Sequence, residues 1–119
     1  MNYITEIIVV VILIFFLKGF LPIKGVKNIS ITELKSEMKD KNIQMIDVRT
    51  VGEFKQYHIP GFKNIPLQML AKEANNLKKD EPIIVICQSG MRSQRASKML
   101  KKLGFNNIMN VKSGVSAWR

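Results

Sequence analysis

An unbroken apolar run, Ile83–Ile86, ends at the only cysteine of the chain, Cys87. A small basic loop follows the cysteine, and a helical pattern is predicted to follow the loop over residues 93–103. A continuous apolar strand of this length is typical of a strand buried on both faces. The strand–loop–helix unit therefore predicts a mostly parallel sheet covered by helices, the arrangement of an α/β fold.

The rest of the chain after the first 25 residues alternates in the same way. The predicted strands are 28–30 (a short edge strand), 44–48, 63–65, 83–86 and 107–111, and the predicted helices are 30–40, 52–57, 67–77 and 93–103. The first of these helices opens with a capping box, Ser30-x-x-Glu33. We predict one α/β domain over residues 28–119, preceded by a linker at 23–27.

Residues 1–22 have a different character, because residues 7–17 are uniformly apolar. A cleaved signal peptide is disfavoured, since no Lys or Arg precedes the run and no Ala-x-Ala-like site follows it. A buried core helix that is apolar all round needs a larger protein to cover it. With its flanks the segment approaches the roughly 20 residues of a membrane span. We predict an N-terminal transmembrane anchor over 1–22.

The positions of the lysines predict the orientation of that anchor. No Lys or Arg lies in residues 1–17, whereas Lys18, Lys24 and Lys27 follow closely. Positive charge collects on the cytoplasmic side of a span. The expected location is the cell membrane, single-pass, with the C-terminal domain in the cytoplasm.

The charge of the domain restricts its partners. Residues 18–119 hold all 19 basic residues and eight of the nine acidic ones, a net charge of +11. Nucleic acid, anionic lipid headgroups and a small anionic substrate could each match this charge. The lysines are scattered without a nucleic-acid-binding motif, so we predict no nucleic-acid partner. One cysteine excludes an internal disulfide, and we predict no metal and no cofactor.

The residues around Cys87 decide between an inert and a reactive thiol. A free cysteine at a strand end is often a small core residue. Here Gly90 permits a positive φ, which lets successive N–H groups point inward and stabilise an anion at the start of a helix. Only the thiolate is nucleophilic, so the sequence favours Cys87 as a nucleophile. Ser93 is predicted to cap the following helix.

The spacing from Cys87 to Arg92 is C-x4-R. Tyrosine-phosphatase-type sites use C-x5-R, and a loop shorter by one residue suits a persulfide sulfur better than a phosphoryl group. A small phosphatase or arsenate reductase is therefore disfavoured. The predicted binding loop consists of Gln88, Ser89, Gly90, Met91 and Arg92.

Several short segments, taken in order, resemble the single-domain rhodaneses, a family of sulfurtransferases. The matching segments are Asp47-Val48-Arg49, Glu53-Phe54, the run from His58 to Pro66, the run from Ile84 to Ser93, and Gly114-Val115-Ser116-Ala117-Trp118. The resemblance covers the chain from about residue 28 onward. It implies a rhodanese-like α/β fold with a five-stranded, mostly parallel sheet.

The resemblance also implies roles for individual residues. Cys87 would take a sulfane sulfur, become a persulfide and pass the sulfur to a nucleophilic acceptor, while Arg92 closes the loop. Asp47 would brace the loop and Arg49 would meet an anionic donor, although a helix N-cap and a surface salt bridge are alternative roles for this pair. We expect His58 to be structural rather than a general base.

The expected function is a membrane-tethered sulfurtransferase. Its partners would be a small sulfur-donor anion or persulfide, an acceptor such as a thiol or cyanide, and an unidentified membrane protein. The alternative is a membrane-tethered binding or redox-regulatory module of the same fold with little turnover.

Overall fold

The computed structural model describes residues 3–20 and 23–118. The helices are α1 (Ile4–Phe20), α2 (Ile31–Glu37), α3 (Val51–Gln56), α4 (Leu70–Glu73) and α5 (Met91–Lys102). The strands are β1 (Val26–Ile29), β2 (Gln44–Asp47), β3 (Lys63–Asn64), β4 (Ile83–Ile86) and β5 (Ile108–Val111). Three single turns of 3₁₀-helix cover Leu67–Met69, Ala74–Asn76 and Val115–Ala117.

The five strands form one sheet in the order β1-β5-β4-β2-β3, and every neighbouring pair is parallel. The predicted five-stranded parallel sheet is confirmed. Strand β4 lies at the centre, and all four of its residues are buried. Burial on both faces explains why this strand is apolar without alternation.

Two apolar cores lie on the two faces of the sheet. On one face, Val85 and Cys87 pack with Leu100 of α5 and Leu70 of α4. On the other face, Ile84 and Ile86 pack with Leu34 of α2, and Phe54 and Trp118 cover the edge of this core. Because alternate residues of β4 enter opposite cores, the strand position fixes the face on which Cys87 lies.

Local capping places the helices that follow β1 and β2. The side chains of Ser30 and Thr50 each accept a hydrogen bond from the backbone N–H of the Glu three residues on. The carboxylate of that Glu accepts one in return from the backbone N–H of the Ser or Thr. The predicted Ser30 box is thus confirmed, and Thr50-x-x-Glu53 forms a second one. Capping of this kind satisfies N–H groups that have no partner within the helix.

Two predicted helices differ in the structure. The helix predicted over 67–77 is broken into a 3₁₀ turn, the one-turn α4 and a second 3₁₀ turn, and none of the three has a side-chain cap. The last helix starts at Met91 rather than at residue 93, with Gly90 as its N-cap. The predicted capping role of Ser93 is therefore wrong, since Ser93 lies inside the first turn and is buried.

Helix α1 is 17 residues long, about 26 Å at 1.5 Å per residue, whereas the hydrocarbon core of a bilayer is about 30 Å thick. Among residues 3–20 and 23–118, no helix is both long and apolar enough to cross a membrane. The transmembrane helix predicted over 1–22 is not supported. Residues 1, 2, 21 and 22 of that prediction lie outside the described residues.

Candidate active site

The candidate site lies where two neighbouring strands send the chain in opposite directions. From β2 the chain proceeds outward to β3, and from β4 it proceeds the other way to β5. Asp47 at the end of β2 is in register with Ile86 at the end of β4. Ligands of open α/β sheets bind in the crevice at such a point, outside the carboxyl ends of the strands. The segments after Asp47 and after Ile86 therefore form one site.

The sulfur of Cys87 lies under its own loop. The residue is only 1% exposed, and the backbone N–H of Gly90 donates a hydrogen bond to Sγ at 3.0 Å. The thiol in turn donates to Oγ of Ser93 at 3.4 Å. The Ser93 hydroxyl donates to the Gly90 carbonyl at 3.1 Å, so it joins the thiol to the loop backbone. A backbone N–H directed at Sγ stabilises negative charge on the sulfur.

Gly90 is the residue that lets the loop turn toward the sulfur. Its φ is +107°, in the left-handed region that L side chains rarely adopt. A Cβ at this position would collide with the backbone carbonyl oxygen of Lys112. Both constraints require glycine, and they explain why helix α5 begins immediately after it.

Arg49 is buried between β2 and the loop. Its guanidinium donates to both carboxylate oxygens of Asp47 at 2.8–3.1 Å, to the backbone carbonyl of Tyr57 at 2.7 Å, and to Oε1 of Gln88 at 3.2 Å. Asp47 is fully buried and Arg49 is 3% exposed. The pair is neither a surface salt bridge nor a helix N-cap. Asp47 acts on the loop through Arg49 and Gln88, and most of the donors of Arg49 are occupied.

Arg92, at the end of the loop, is held by Glu53 of α3. Two parallel hydrogen bonds, at 2.7 and 2.9 Å, join its guanidinium to the two carboxylate oxygens. The Arg92 guanidinium lowers the pKa of Glu53 from 4.5 to about 2, against a smaller opposing effect of burial. The carboxylate raises the pKa of Arg92 in return. Glu53 is also the last residue of the Thr50 capping box, so one carboxylate fixes both α3 and the loop.

The turn at the C-terminal end of the domain holds the loop from the other side. Backbone N–H groups of Val115 and Ser116 donate to the carbonyls of Cys87 and Gln88 at 2.8 and 3.1 Å. Gly114 has φ +69°, and a Cβ on it would collide with the same two carbonyl groups. Hydrogen bonds from three directions therefore fix the loop.

A cavity of about 350 Å³ opens beside the loop. Its walls are formed by Arg49, Glu53, Gln56, Tyr57, Gln88 and Val115. This volume is in the range of pockets for small molecules. The cavity can hold a small ligand beside Gln88, the residue that follows the buried Cys87.

The structure brings most of the predicted site residues together. Hydrogen bonds join Asp47, Arg49 and Gln88 in one group and Cys87 and Gly90, with Ser93, in a second. Met91 is 62% exposed, and Ser89 is also exposed. Arg92 contacts Glu53 rather than lying free at the loop. The predicted set of site residues missed four contributors, namely Glu53, Tyr57, Ser93 and the 114–116 turn. The Thr50-x-x-Glu53 spacing was the available signal for Glu53.

Two residues near the site have structural contacts. His58 stacks on the ring of Phe54 at 3.8 Å, and its Nδ1 lies 2.8 Å from the Phe54 carbonyl. Trp118 packs against the core that contains Ile84 and Ile86, and Nζ of Lys35 lies 5.2 Å from the centre of the Trp118 ring. These contacts agree with the structural role expected for His58.

Comparison with known proteins identifies the same domain. The family model for the rhodanese-like domain matches residues 30–119. The Bacillus subtilis protein YrkF is 37% identical over 95 residues, which are 79% of this chain and 51% of YrkF, so the chain spans about half the length of that relative. The thiosulfate sulfurtransferase GlpE of Shewanella oneidensis is 32% identical over 92 residues, 77% of this chain and 91% of GlpE.

Solved structures show the same architecture. A crystal structure of a rhodanese-like domain protein from Staphylococcus aureus superposes with a TM-score of 0.72 at 33% identity. The superposition covers 78% of this chain and 91% of that one. The similarity therefore extends over nearly the whole of the solved domain.

Proposed function

The chain belongs to the rhodanese-like domain family, and we propose that it is a sulfurtransferase that carries sulfane sulfur as a persulfide on Cys87. The Cys87 thiolate attacks the outer sulfur of a donor, the S–S bond of the donor breaks, and the leaving group departs with the electron pair. An acceptor thiolate or cyanide then attacks the outer sulfur of the Cys87 persulfide. The Cys87 thiolate is regenerated and the acceptor keeps the sulfur.

The observation that carries this proposal is the hydrogen bond from the Gly90 N–H to Sγ of Cys87 at 3.0 Å. The N–H points to where negative charge resides before the attack, and a preorganised donor of this kind stabilises such charge without reorganisation. The C-x4-R loop is one residue shorter than the C-x5-R loop of tyrosine-phosphatase-type sites, which suits a persulfide sulfur better than a phosphoryl group. Substrate-binding roles for Gln88 to Arg92, and the supporting roles of Asp47 and Arg49, are parts of the same proposal.

Release of thiocyanate tests the proposal. The purified full chain is incubated with a sulfane-sulfur donor and then with cyanide, and thiocyanate is measured. Cys87→Ser is expected to abolish the product. The matched control is the double variant Cys87→Ser with Ser36→Cys, which restores a thiol on the exposed face of α2 away from the loop. This control should stay inactive, and full activity in either variant would contradict the proposal.

A protein that never accepts sulfur from any donor would favour the alternative, a binding or redox-regulatory module. The same incubations separate the two functions, because a scaffold needs no sulfur on Cys87. Retention of the fold in the inactive Cys87→Ser variant, checked by circular dichroism, ensures that lost activity reflects the lost thiol.

We also propose that the protein works at a membrane, with the domain on the cytoplasmic side. The apolar side chains of residues 7–17 in α1 are 48–79% exposed. A continuous apolar surface of this kind favours transfer into lipid. The basic residues Lys24 and Lys27 follow α1 and suit the anionic cytoplasmic leaflet.

Fractionation of cells that express the full chain tests this location. The protein should sediment with membranes, resist extraction by high salt and dissolve in detergent. Ile12→Lys, which places a charge in the middle of α1, should move the protein to the supernatant. Asn106→Lys, on the exposed surface of the domain, is the matched control, and this variant should stay with the membranes. Full-length wild-type protein in the supernatant would contradict the proposed location.

A further inference from the structure

Among the described residues, the two charged side chains that line the cavity, Arg49 and Glu53, are each paired within the protein. Arg49 in the wall is bonded to the buried carboxylate of Asp47, and Glu53 in the wall is bonded to Arg92. The two arginines and two carboxylates sum to zero formal charge. Arg95 and Lys112 are exposed near the same edge of the sheet, but neither lines the cavity. The local balance therefore differs from the strongly positive charge of the domain as a whole.

The carboxylate in the wall is ionised throughout the physiological range. Its pKa is about 2, because Arg92 donates two hydrogen bonds to it. The side chain of Glu53 is 33% exposed, so the carboxylate is accessible to a ligand in the cavity. Because Arg92 already neutralises this carboxylate and Asp47 already neutralises Arg49, a dianion entering the cavity would meet no unpaired cation in the wall to compensate its charge.

Gln88 is the loop side chain that lines the cavity, and it is neutral. Its Oε1 accepts a hydrogen bond from Nη1 of Arg49 at 3.2 Å. The amide thus uses one of the donors of Arg49 that could otherwise have been offered to an anion. The wall therefore presents a neutral amide, together with a guanidinium and a carboxylate that both already have protein partners of opposite charge.

We propose that the cavity selects a small thiol persulfide as sulfur donor over the thiosulfate dianion, and that Gln88 is a specificity-determining residue. This inference rests on the proposed function. The Cys87 thiolate attacks the outer sulfur of R–S–S–H, the S–S bond breaks, and R–S⁻ leaves with the electron pair while the hydrogen stays on the transferred sulfur. With thiosulfate, the leaving group is sulfite, a dianion released beside the Glu53 carboxylate.

Loading of Cys87 on the full chain, measured separately with two donors, tests the inference. The rate constant for loading Cys87 is measured by mass spectrometry with cysteine persulfide and with thiosulfate, each over a range of concentrations. The wild-type protein should have a kcat/KM at least about tenfold higher for cysteine persulfide, the size expected when a dianion finds no unpaired cation in the cavity wall. This comparison requires no variant, so it does not depend on the folding of one.

Gln88→Lys adds a cation to the cavity wall and should raise the thiosulfate-to-persulfide ratio of kcat/KM by about tenfold, mainly through a lower KM for thiosulfate. Asn106→Lys adds the same charge before β5, at the opposite edge of the sheet, and should leave the ratio unchanged. A wild-type protein that loads from thiosulfate as well as from persulfide would overturn the inference and leave the proposed function intact. Loading from neither donor would overturn both.

Discussion

The backbone N–H of Gly90 lies 3.0 Å from Sγ of Cys87 and donates to it across the width of the loop. The hydrogen bond depends on the positive φ of Gly90 and on the close passage of the Lys112 carbonyl. The reactive sulfur is therefore positioned by backbone geometry. Side chains from β2 and α3, and backbone N–H groups of the C-terminal turn, hold that geometry in place.

Gly90→Ala keeps a backbone N–H but should displace it from Sγ, and it should lower sulfur-transfer activity by about 100-fold, the loss typical of losing one preorganised donor. The new Cβ would clash with the Lys112 carbonyl and impose an unfavourable φ, at a cost of about 1–3 kcal/mol in the free energy of unfolding. Steady-state kinetics and urea unfolding measure the two effects.

Gly52→Ala is the matched control for that experiment. Gly52 lies in α3, and a Cβ there would meet nothing within 4 Å. Alanine should stabilise the protein by about 0.5–1 kcal/mol because it favours the helix. If Gly90→Ala retained wild-type activity, the role assigned to the Gly90 N–H would be wrong.

The Glu53–Arg92 pair predicts a dependence of stability on pH. The pKa of Glu53 is lowered from 4.5 to about 2 in the folded protein, so its contribution is complete above pH 4.5 and is lost as pH falls toward 2. Because both side chains are about one-third exposed, solvent screening limits the contribution to about 1 kcal/mol. Glu53→Gln can keep the capping box but loses the charge.

Urea unfolding at pH 7, 4.5 and 3 measures this contribution as the difference between wild type and Glu53→Gln. The difference should be largest at pH 7 and should shrink below pH 4.5. Glu81→Gln, which breaks only an exposed ion pair with Lys78 at 3.6 Å, should change stability little at any of these pH values. A difference for Glu53→Gln that grew as pH fell would contradict the assignment.

Asp47→Asn should be the most destabilising of these substitutions, by about 3–5 kcal/mol, because it leaves the buried guanidinium of Arg49 without its counter-charge. Activity should fall with stability, since Arg49 also holds Gln88 of the loop. Lys27→Gln breaks a 4.0 Å ion pair on the surface and should cost less than about 0.5 kcal/mol. Comparable unfolding free energies for the two variants would refute the structural role of Asp47.

The sequence was sufficient to predict the α/β fold because β4 is uniformly apolar, and because the loop after it is polar and contains Gly90, so it does not continue as a strand. Strand β4 was predicted with its observed bounds, Ile83–Ile86. The edge strand β1 begins at Val26 rather than at residue 28, and the helix predicted over 67–77 is broken into short turns. Short elements at the edge of a sheet depend on tertiary packing, which periodicity does not report.

The partners of the two arginines could not be predicted from their spacing. Arg92 and Glu53 are 39 positions apart and meet only because α3 follows β2 at the same edge of the sheet as the Cys87 loop. Arg49 was expected to meet an anionic donor, with a surface salt bridge as the alternative, yet it is buried with Asp47, two residues away. The two-residue spacing of Asp47 and Arg49 is compatible with a surface pair and with a buried one. The pair is buried because the Cys87 loop folds over it.

Helix α1 shows the limit of hydropathy as a guide. Uniformly apolar residues predicted a span, but the helix of the structure is 17 residues long. Hydropathy identifies a segment that avoids water. The length of the helix decides whether it is able to cross a bilayer, and hydropathy does not report that length.

Mass spectrometry of the full chain after incubation with a sulfane-sulfur donor shows whether Cys87 carries sulfur. We expect a gain in mass equal to one sulfur atom, mapped to the peptide that contains Cys87, and its loss when a thiol acceptor is added. The Cys87→Ser protein, treated in the same way, should gain nothing. A wild-type protein that stays unmodified with every donor, or a sulfur that the acceptor does not remove, would contradict the assignment of Cys87 as a sulfur carrier.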